Sequence, residues 1–220
     1  MIGERDGAVR PSRPRLVWRF GTIMQTKQEA KLRREGSTPV FVISGPSGCG
    51  KTTVSDLVVK ELGIRHSVSA TTRGRRPGEE HGKDYHFVSR DEFVEGVRRG
   101  EYLEHAEYLG NLYGTLRREV EDALDSGEAI LLDIDVEGAA QVKRLYPGAV
   151  LIFLMPPSDE VLEERLAGRG TESAEQIRRR LDRTREEMSR ASDYQYVVVN
   201  NELRDTVARV EEIILKESGK

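Results

Sequence analysis

The chain has 220 residues, of which 37% are hydrophobic and 33% charged, and its formal net charge is −3. This balance excludes a wholly disordered chain, and the longest apolar run, residues 149–155, is far shorter than the roughly 18 residues of a membrane-spanning helix. The single cysteine excludes an internal disulfide and predicts a reducing, cytoplasmic location, while the acidic net charge gives the chain no general attraction to nucleic acid or anionic lipid.

The N-terminal segment differs in charge from the rest of the chain. Residues 1–36 contain nine Lys and Arg against four Asp and Glu, a net charge of +5, so the remainder carries −8. We predict that residues 1–37 are a poorly ordered basic extension with a short helix near 27–34, and that residues 38–218 form one domain. A basic arm for RNA, an organelle-targeting peptide and a start of translation at Met24 are the alternatives.

The first elements alternate strand and helix around a glycine-rich turn. Residues 39–44 are apolar and β-branched, which predicts a buried strand, and helical spacing of apolar residues follows over 53–62. We expect a second strand at 65–71, a loop at 73–83 and a strand at 85–88. A capping box at Ser89 and Glu92 predicts a helix that ends at Gly100.

The second half of the chain continues the alternation. We expect strands at 102–108, 129–134, 150–154 and 197–200, and helices at 116–126, 137–145, 158–169, 173–189 and 203–216. Strands that alternate with helices predict an α/β fold with a mainly parallel central sheet. Residues 73–114 interrupt this alternation, which indicates an inserted substrate lobe.

The glycine-rich turn predicts an ATP-phosphate site. Residues 45–52 match G-x-x-x-x-G-K-[ST] between a predicted strand and a predicted helix, as that motif requires. The backbone N–H groups would surround phosphate oxygens, Lys51 would reach the β and γ phosphates, and the Thr52 hydroxyl would bind Mg²⁺. The predicted ATP-binding residues of this loop are Gly45, Pro46, Ser47, Gly48, Cys49, Gly50, Lys51, Thr52 and Thr53. An ordinary glycine-rich turn is the alternative for the loop.

Two other features of this region leave alternatives open. Cys49 is either a small filler or a thiolate that the loop stabilises and that oxidation would target. Asp133 and Asp135 lie two residues apart at the end of a predicted strand, so they share a face. One of them is expected to assist Mg²⁺ through water, a helix cap is the alternative for such an aspartate, and the sequence does not divide their roles.

Further segments resemble the guanylate kinase family. Residues 67–85 (SVSATTRGRRPGEEHGKDY) and 104–115 (EHAEYLGNLYGT) carry the resemblance, together with the phosphate loop, residues 132–135, residues 165–172 and residues 199–200. The resemblance covers residues 40–216. It implies a P-loop NTPase-type core, a GMP-binding lobe at about 73–125 and a helical lid at about 165–190. It also implies that the chain phosphorylates GMP and dGMP with ATP and Mg²⁺, in purine nucleotide metabolism and GMP recycling.

The chemistry of the acceptor residues agrees with that resemblance. Arg73 and Arg76 lie three residues apart in a Gly/Pro-rich loop, where guanidinium groups suit a monophosphate. A carboxylate at Glu104 would accept both the N1–H and the 2-amino group of guanine, and adenine would leave it unpaired. By resemblance, the GMP-binding residues are Ser69, Arg73, Arg76, Tyr85, Glu104, Tyr113, Gly114, Thr115, Asp133 and Asp135.

The resemblance also assigns residues to catalysis and to ATP. The implied catalytic residues are Lys51, Arg73, Arg165, Arg169 and Arg180, of which the last three would lie in the lid. Asn200 would lie near the adenine of ATP. Two rival functions remain, a non-enzymatic interaction module and a kinase of a sugar phosphate. A complete phosphate loop is unexpected in an interaction module. A sugar-phosphate kinase would not need Ser69, Glu104 and Thr115 together.

Overall fold

The computed structural model describes residues 39–158, 160–162 and 184–219. Its strands are β1 (Val40–Ser44), β2 (Arg65–His66), β3 (Ala70–Thr71), β4 (His86–Phe87), β5 (Tyr102–Tyr108), β6 (Asn111–Leu116), β7 (Ile130–Asp133), β8 (Val150–Met155) and β9 (Tyr196–Val199). Its α-helices with both ends in these ranges are α1 (Lys51–Leu62), α2 (Arg90–Arg98), α3 (Arg117–Ser126), α4 (Val136–Leu145) and α5 (Leu203–Glu217). The basic extension, most of the two predicted lid helices, and Arg165, Arg169 and Arg180 lie outside the described residues.

A five-stranded parallel sheet forms the centre of the molecule, with strand order β2-β7-β1-β8-β9. Successive residues of β1 point to opposite faces. Phe41 and Ile43 pack in a cluster with side chains of α1 and α5, whereas Val40 and Val42 pack with side chains of α3 and α4. The mainly parallel sheet covered on both faces is therefore confirmed, and its strands all end at one edge.

A second sheet forms the lobe, with strand order β4-β3-β6-β5. The predicted capping box starts α2, because Ser89 Oγ accepts from Glu92 N at 3.2 Å and Glu92 Oε2 accepts from Ser89 N at 2.8 Å. Phe93 of this helix stacks on Tyr102 of β5 with ring centroids 4.2 Å apart. These two rings and Ala70 form a small core separate from that of the main sheet.

The predicted single strand at 65–71 is wrong. The chain leaves the main sheet at Ser67, whose N–H donates to Leu131 O at 3.0 Å, and joins the lobe at Ser69, whose carbonyl accepts from His86 N at 2.9 Å. The sequence of residues 65–71 favours extended backbone throughout. It does not show that this segment stops pairing with β7 and starts pairing with the lobe strands. Strand β6 was also missed, and α1 begins at Lys51 rather than Thr53.

No helix in the described ranges combines the length and the apolar character needed to cross a bilayer.

Candidate active site

The phosphate loop connects β1 to α1 and is fastened to the end of β9. Gly50 adopts φ +93°, and a Cβ there would lie 2.6 Å from Nδ2 of Asn200, so only glycine fits. Asn200 is 6% exposed, and its Nδ2 donates to Cys49 O at 2.7 Å. Asn200 therefore holds the loop backbone in place, and a contact with adenine stays a prediction.

Lys51 folds back across the loop. Its Nζ donates to Gly45 O at 2.8 Å and to Pro46 O at 3.2 Å. Burial acts to lower the pKa of Lys51, but the negative groups around it, including Asp133 and Glu187, raise that pKa above the usual lysine value. The ammonium group is therefore charged and lies at the loop before any phosphate binds.

Cys49 is a packing residue. Its side chain is fully buried in the core cluster that contains Phe41 and Ile43. Burial raises the pKa of the thiol above its ordinary value, so the thiolate that the sequence left open is disfavoured. The structure supports the small filler.

The two aspartates at the end of β7 and just beyond it have different roles. Asp133 is paired in register with Ile43 at the end of β1, and its Oδ2 accepts from Thr52 Oγ1 at 2.9 Å. Asp135 lies beyond the strand and caps α4, where its Oδ1 accepts from Gly138 N at 2.8 Å. Asp133 thus contacts the phosphate loop through Thr52, and Asp135 caps the helix that follows.

Glu104 is a buried carboxylate on β5. It is 4% exposed, and its Oε1 accepts from Thr115 N at 2.9 Å and from Thr115 Oγ1 at 2.7 Å. Burial raises the pKa of Glu104 to about 7, and Asp135 acts in the same direction. The other oxygen of Glu104, Oε2, lies against Gly138 of α4. A Cβ atom on residue 138 would come within 2.5 Å of this oxygen, so a glycine makes room for the carboxylate.

Helix α4 also binds the backbone next to Glu104. Gln141 Nε2 donates to His105 O at 2.9 Å, and Gln141 Oε1 accepts from His105 N at 3.4 Å. Through these contacts the first half of β5 is attached to a helix of the main sheet.

Arg73 lies at the start of the lobe loop, held on several sides. Its guanidinium group forms two hydrogen bonds with Glu79, from Nη2 to Oε1 at 2.7 Å and from Nη1 to Oε2 at 3.0 Å. The guanidinium carbon lies 5.4 Å from the ring centroid of Tyr85 and 5.8 Å from that of Phe87. Arg76 is exposed, and its backbone N–H donates to Glu79 Oε2 at 2.8 Å.

Tyr85 of the lobe lies within electrostatic range of Lys51 and Asp133 at the phosphate loop. Its ring centroid lies 6.1 Å from that of Tyr113. Burial raises the pKa of Tyr85 to about 12, Asp133 and Tyr113 act in the same direction, and Arg73 and Lys51 oppose them. The predicted donor and acceptor residues are therefore within electrostatic reach of each other.

Ser69 and Gly114, two further residues predicted to bind GMP, are paired through their backbones with the strands that carry Tyr85's neighbour His86 and Glu104's neighbour His105. Ser69 pairs its carbonyl with His86 as β3 begins, and Gly114 lies opposite His105 on β6. Sequence analysis gave no role to Glu79 or Glu187. Glu187 is 6% exposed on helical residues 184–189 and contributes to the field at Lys51. Acidic residues in charged stretches read as solvated surface, so no sequence signal distinguished these two.

Comparison with known proteins agrees with this geometry. The family model described as guanylate kinase matches residues 37–217. The chain is 50% identical over 177 residues to the guanylate kinase of Streptococcus thermophilus (strain CNRZ 1066), covering 80% of this chain and 85% of that protein. It is 46% identical over 182 residues to the guanylate kinase of Thermotoga maritima, covering 82% and 88%.

A solved structure is similar over the same region. The crystal structure of guanylate kinase from Anaplasma phagocytophilum matches with a TM-score of 0.70 and 37% identity. The match covers 84% of this chain and 89% of that one.

Proposed function

The chain belongs to the guanylate kinase family, and from this we infer that its site transfers the terminal phosphoryl group of ATP to GMP or dGMP, giving ADP and GDP or dGDP. The observation that carries the inference is the buried Glu104 carboxylate in a lobe whose Tyr85 is within electrostatic reach of a complete phosphate loop. The process served is purine nucleotide metabolism and GMP recycling. The one buried cysteine supports a reducing, cytoplasmic location.

The loop and Lys51 bind the donor. Loop N–H groups and the N-terminus of α1 face the phosphates, and Lys51 exchanges its carbonyl partners for phosphate oxygens. Thr52 and Asp133 present a hydroxyl and a carboxylate 2.9 Å apart, oxygen atoms of the kind that Mg²⁺ prefers. They would hold Mg²⁺ together with ATP, and the ion would neutralise charge on the phosphates.

Arg73, Arg76, Tyr85 and Tyr113 bind the acceptor phosphate. The attacking oxygen is already anionic near neutral pH, so the reaction needs no general base. The task of these residues is to hold two polyanions in line against their repulsion. We assign Arg165, Arg169 and Arg180 of the proposed lid, residues 165–190, to the transferring group.

Glu104 selects the base. Thr115 occupies Oε1 with two donors, and the carboxylate has further lone pairs for the N1–H and 2-amino donors of guanine. Adenine has an acceptor at N1 and lacks the 2-amino group, so it leaves Glu104 buried without those partners. A mismatch of this kind lowers kcat/KM by roughly 10⁴.

A coupled assay of ADP release tests the function with GMP, dGMP, AMP and ribose phosphates as acceptors. We expect turnover of GMP and dGMP, and a kcat/KM for AMP lower by roughly 10⁴. Lys51→Ala should lower kcat by about 10²–10³ or more while GMP binding persists, which excludes a contaminating kinase. Turnover of ribose phosphates in preference to GMP would identify a sugar-phosphate kinase, and no turnover at all would favour an interaction module.

A further inference from the structure

We propose that Glu79 is a positioning residue for the acceptor phosphate, because it holds Arg73 by one end of the guanidinium group and leaves the adjacent edge for GMP. The inference rests on the proposed function, in which Arg73 binds the GMP phosphate.

The Arg73–Glu79 pair is enclosed rather than exposed. The side chains are 13% and 17% exposed, and both hydrogen bonds between them are 3.0 Å or shorter. Exposed ion pairs fluctuate and contribute little, but a two-point contact in a restricted space fixes orientation. The rings of Tyr85 and Phe87 against the guanidinium carbon further limit its rotation.

Counting the donors of Arg73 shows which ones remain for a ligand. A guanidinium group has five N–H donors in one plane. Nη1 uses both of its N–H groups, on Gly74 O at 2.8 Å and on Glu79, and Nη2 uses one on Glu79. The Nε–H and the second Nη2–H lie side by side on the next edge, and Tyr113, a further proposed phosphate ligand, also interacts with the guanidinium group and helps to raise the pKa of Arg73. Two parallel donors of this kind match two phosphate oxygens.

Glu79 also shapes the loop that carries the second arginine. Its Oε2 accepts from the backbone N–H of Arg76 at 2.8 Å. The turn between Arg73 and Arg76 is thus closed by the same carboxylate that orients the Arg73 side chain. Hydrogen bonding to Arg73 lowers the pKa of Glu79, so the pair is ionised throughout the neutral range.

The charge of Glu79 and its orienting effect act in opposite directions on GMP. A carboxylate near the phosphate site repels the phosphate, so its neutralisation alone would tighten binding. Without its hydrogen bonds to Glu79, the Arg73 side chain would move among several rotamers in the free protein. GMP would then have to order it on binding, and this loss of conformational entropy weakens binding. The two fixed hydrogen bonds and the enclosing rings indicate that orientation dominates.

Equilibrium binding of GMP by titration calorimetry tests the inference in four proteins: the unaltered chain, Glu79→Gln, Arg73→Ala and the double variant. We expect Glu79→Gln to weaken GMP binding about tenfold, a coupling within the range measured for residues in contact. In the Arg73→Ala background, Glu79→Gln should cause no further loss. The KM for ATP should be unchanged, since the side-chain hydrogen bonds of Glu79 within the described ranges all go to Arg73 and Arg76 of the acceptor loop.

Glu80→Gln is the matched control. Glu80 is the next acidic residue of the same loop, and its carboxylate pairs with the exposed Lys83 at 3.7 Å. We expect unchanged GMP binding. Glu79→Asp is a second test, because it retains the charge with a side chain too short to keep both contacts, and we expect it to weaken GMP binding as well.

Three results would overturn the inference: GMP binding to Glu79→Gln that is unchanged or tighter, GMP binding to Glu79→Asp that is unchanged, or an equal loss with and without Arg73. The last result would show that Glu79 acts by holding the loop backbone at Arg76 and not by orienting the side chain of Arg73. A failure of the proposed function is recognised separately, because the unaltered chain would then neither bind nor phosphorylate GMP.

Discussion

Burial raises the pKa of Glu104 from 4.5 to about 7, so near neutral pH this group exchanges between acid and carboxylate. Only the carboxylate can accept both guanine donors. The protonated form has a hydroxyl that faces a donor and loses one of the two contacts. The residue proposed to bind the base therefore titrates close to neutral pH.

This titration predicts a pH dependence for GMP. Below pH 7 the ionised fraction of Glu104 in the free enzyme decreases about tenfold per pH unit, and kcat/KM for GMP should decrease with it, reaching a plateau above that pH. Initial rates between pH 5.5 and 8.5 give the profile. The phosphate of GMP titrates near 6 and adds its own decrease.

Glu104→Gln separates the two titrations. The variant should have a low kcat/KM for GMP at every pH and retain only the decrease due to the phosphate. An unaltered profile in this variant would contradict the assignment of the pH effect to Glu104.

The contrast between Glu104 and Glu79 shows what sequence analysis can find at single residues. Glu104 stands in a recognisable string, and guanine chemistry explains why an acid is needed there. Glu79 faces an arginine six positions earlier across a loop, and no periodicity links the two positions. The division between Asp133 and Asp135 was equally inaccessible, because it depends on where β7 ends and α4 begins.

At the scale of elements, helices and buried strands were predicted well because their signals are local. The capping box, the apolar run of β8 and the stripe on α5 each encode their own element. The lobe was predicted less well. Strands β3 and β4 have only two residues each, and β6 contains Asn111 and Gly114, which are uncommon in strands.

The hairpin between β5 and β6 predicts a stabilising substitution. Leu109 and Gly110 form the two-residue turn with φ of 48° and 80°, and Leu109 is 58% exposed. A leucine at positive φ costs about 1 kcal/mol, whereas Asn-Gly is the preferred sequence of such turns. Leu109→Asn should therefore stabilise the protein by about 0.5–1 kcal/mol in urea unfolding.

Gly110→Ala provides the opposite control for that turn. Alanine at φ 80° should destabilise the protein by a similar amount. If Leu109→Asn lowered stability, the exposed leucine side chain would be making a favourable contact that outweighs its backbone strain.

At the scale of the whole molecule, the charge difference and the family match both separate the N-terminal extension from the kinase domain. The extension carries +5, and the family match begins at residue 37. We propose that residues 38–218 contain the complete activity.

A protein that starts at Met24 tests this division. Its kcat/KM values for GMP and ATP should agree with those of the full chain within about twofold, because every residue assigned to the site lies after residue 44. A larger loss of kcat/KM would show that the first 23 residues contribute to the reaction.

The contacts of α4 with β5 divide the proposed acceptor site between two parts of the molecule. Gly138 makes room for Glu104, and Gln141 bonds the backbone of His105, so the carboxylate proposed to bind guanine is joined to a helix that packs on the main sheet. Arg73 follows β3 and Tyr85 precedes β4, the two strands at the other edge of the lobe sheet from β5. Under the proposed function, guanine therefore binds against the part of the lobe that is joined to α4, and the phosphate of GMP binds towards the far edge of the same small sheet.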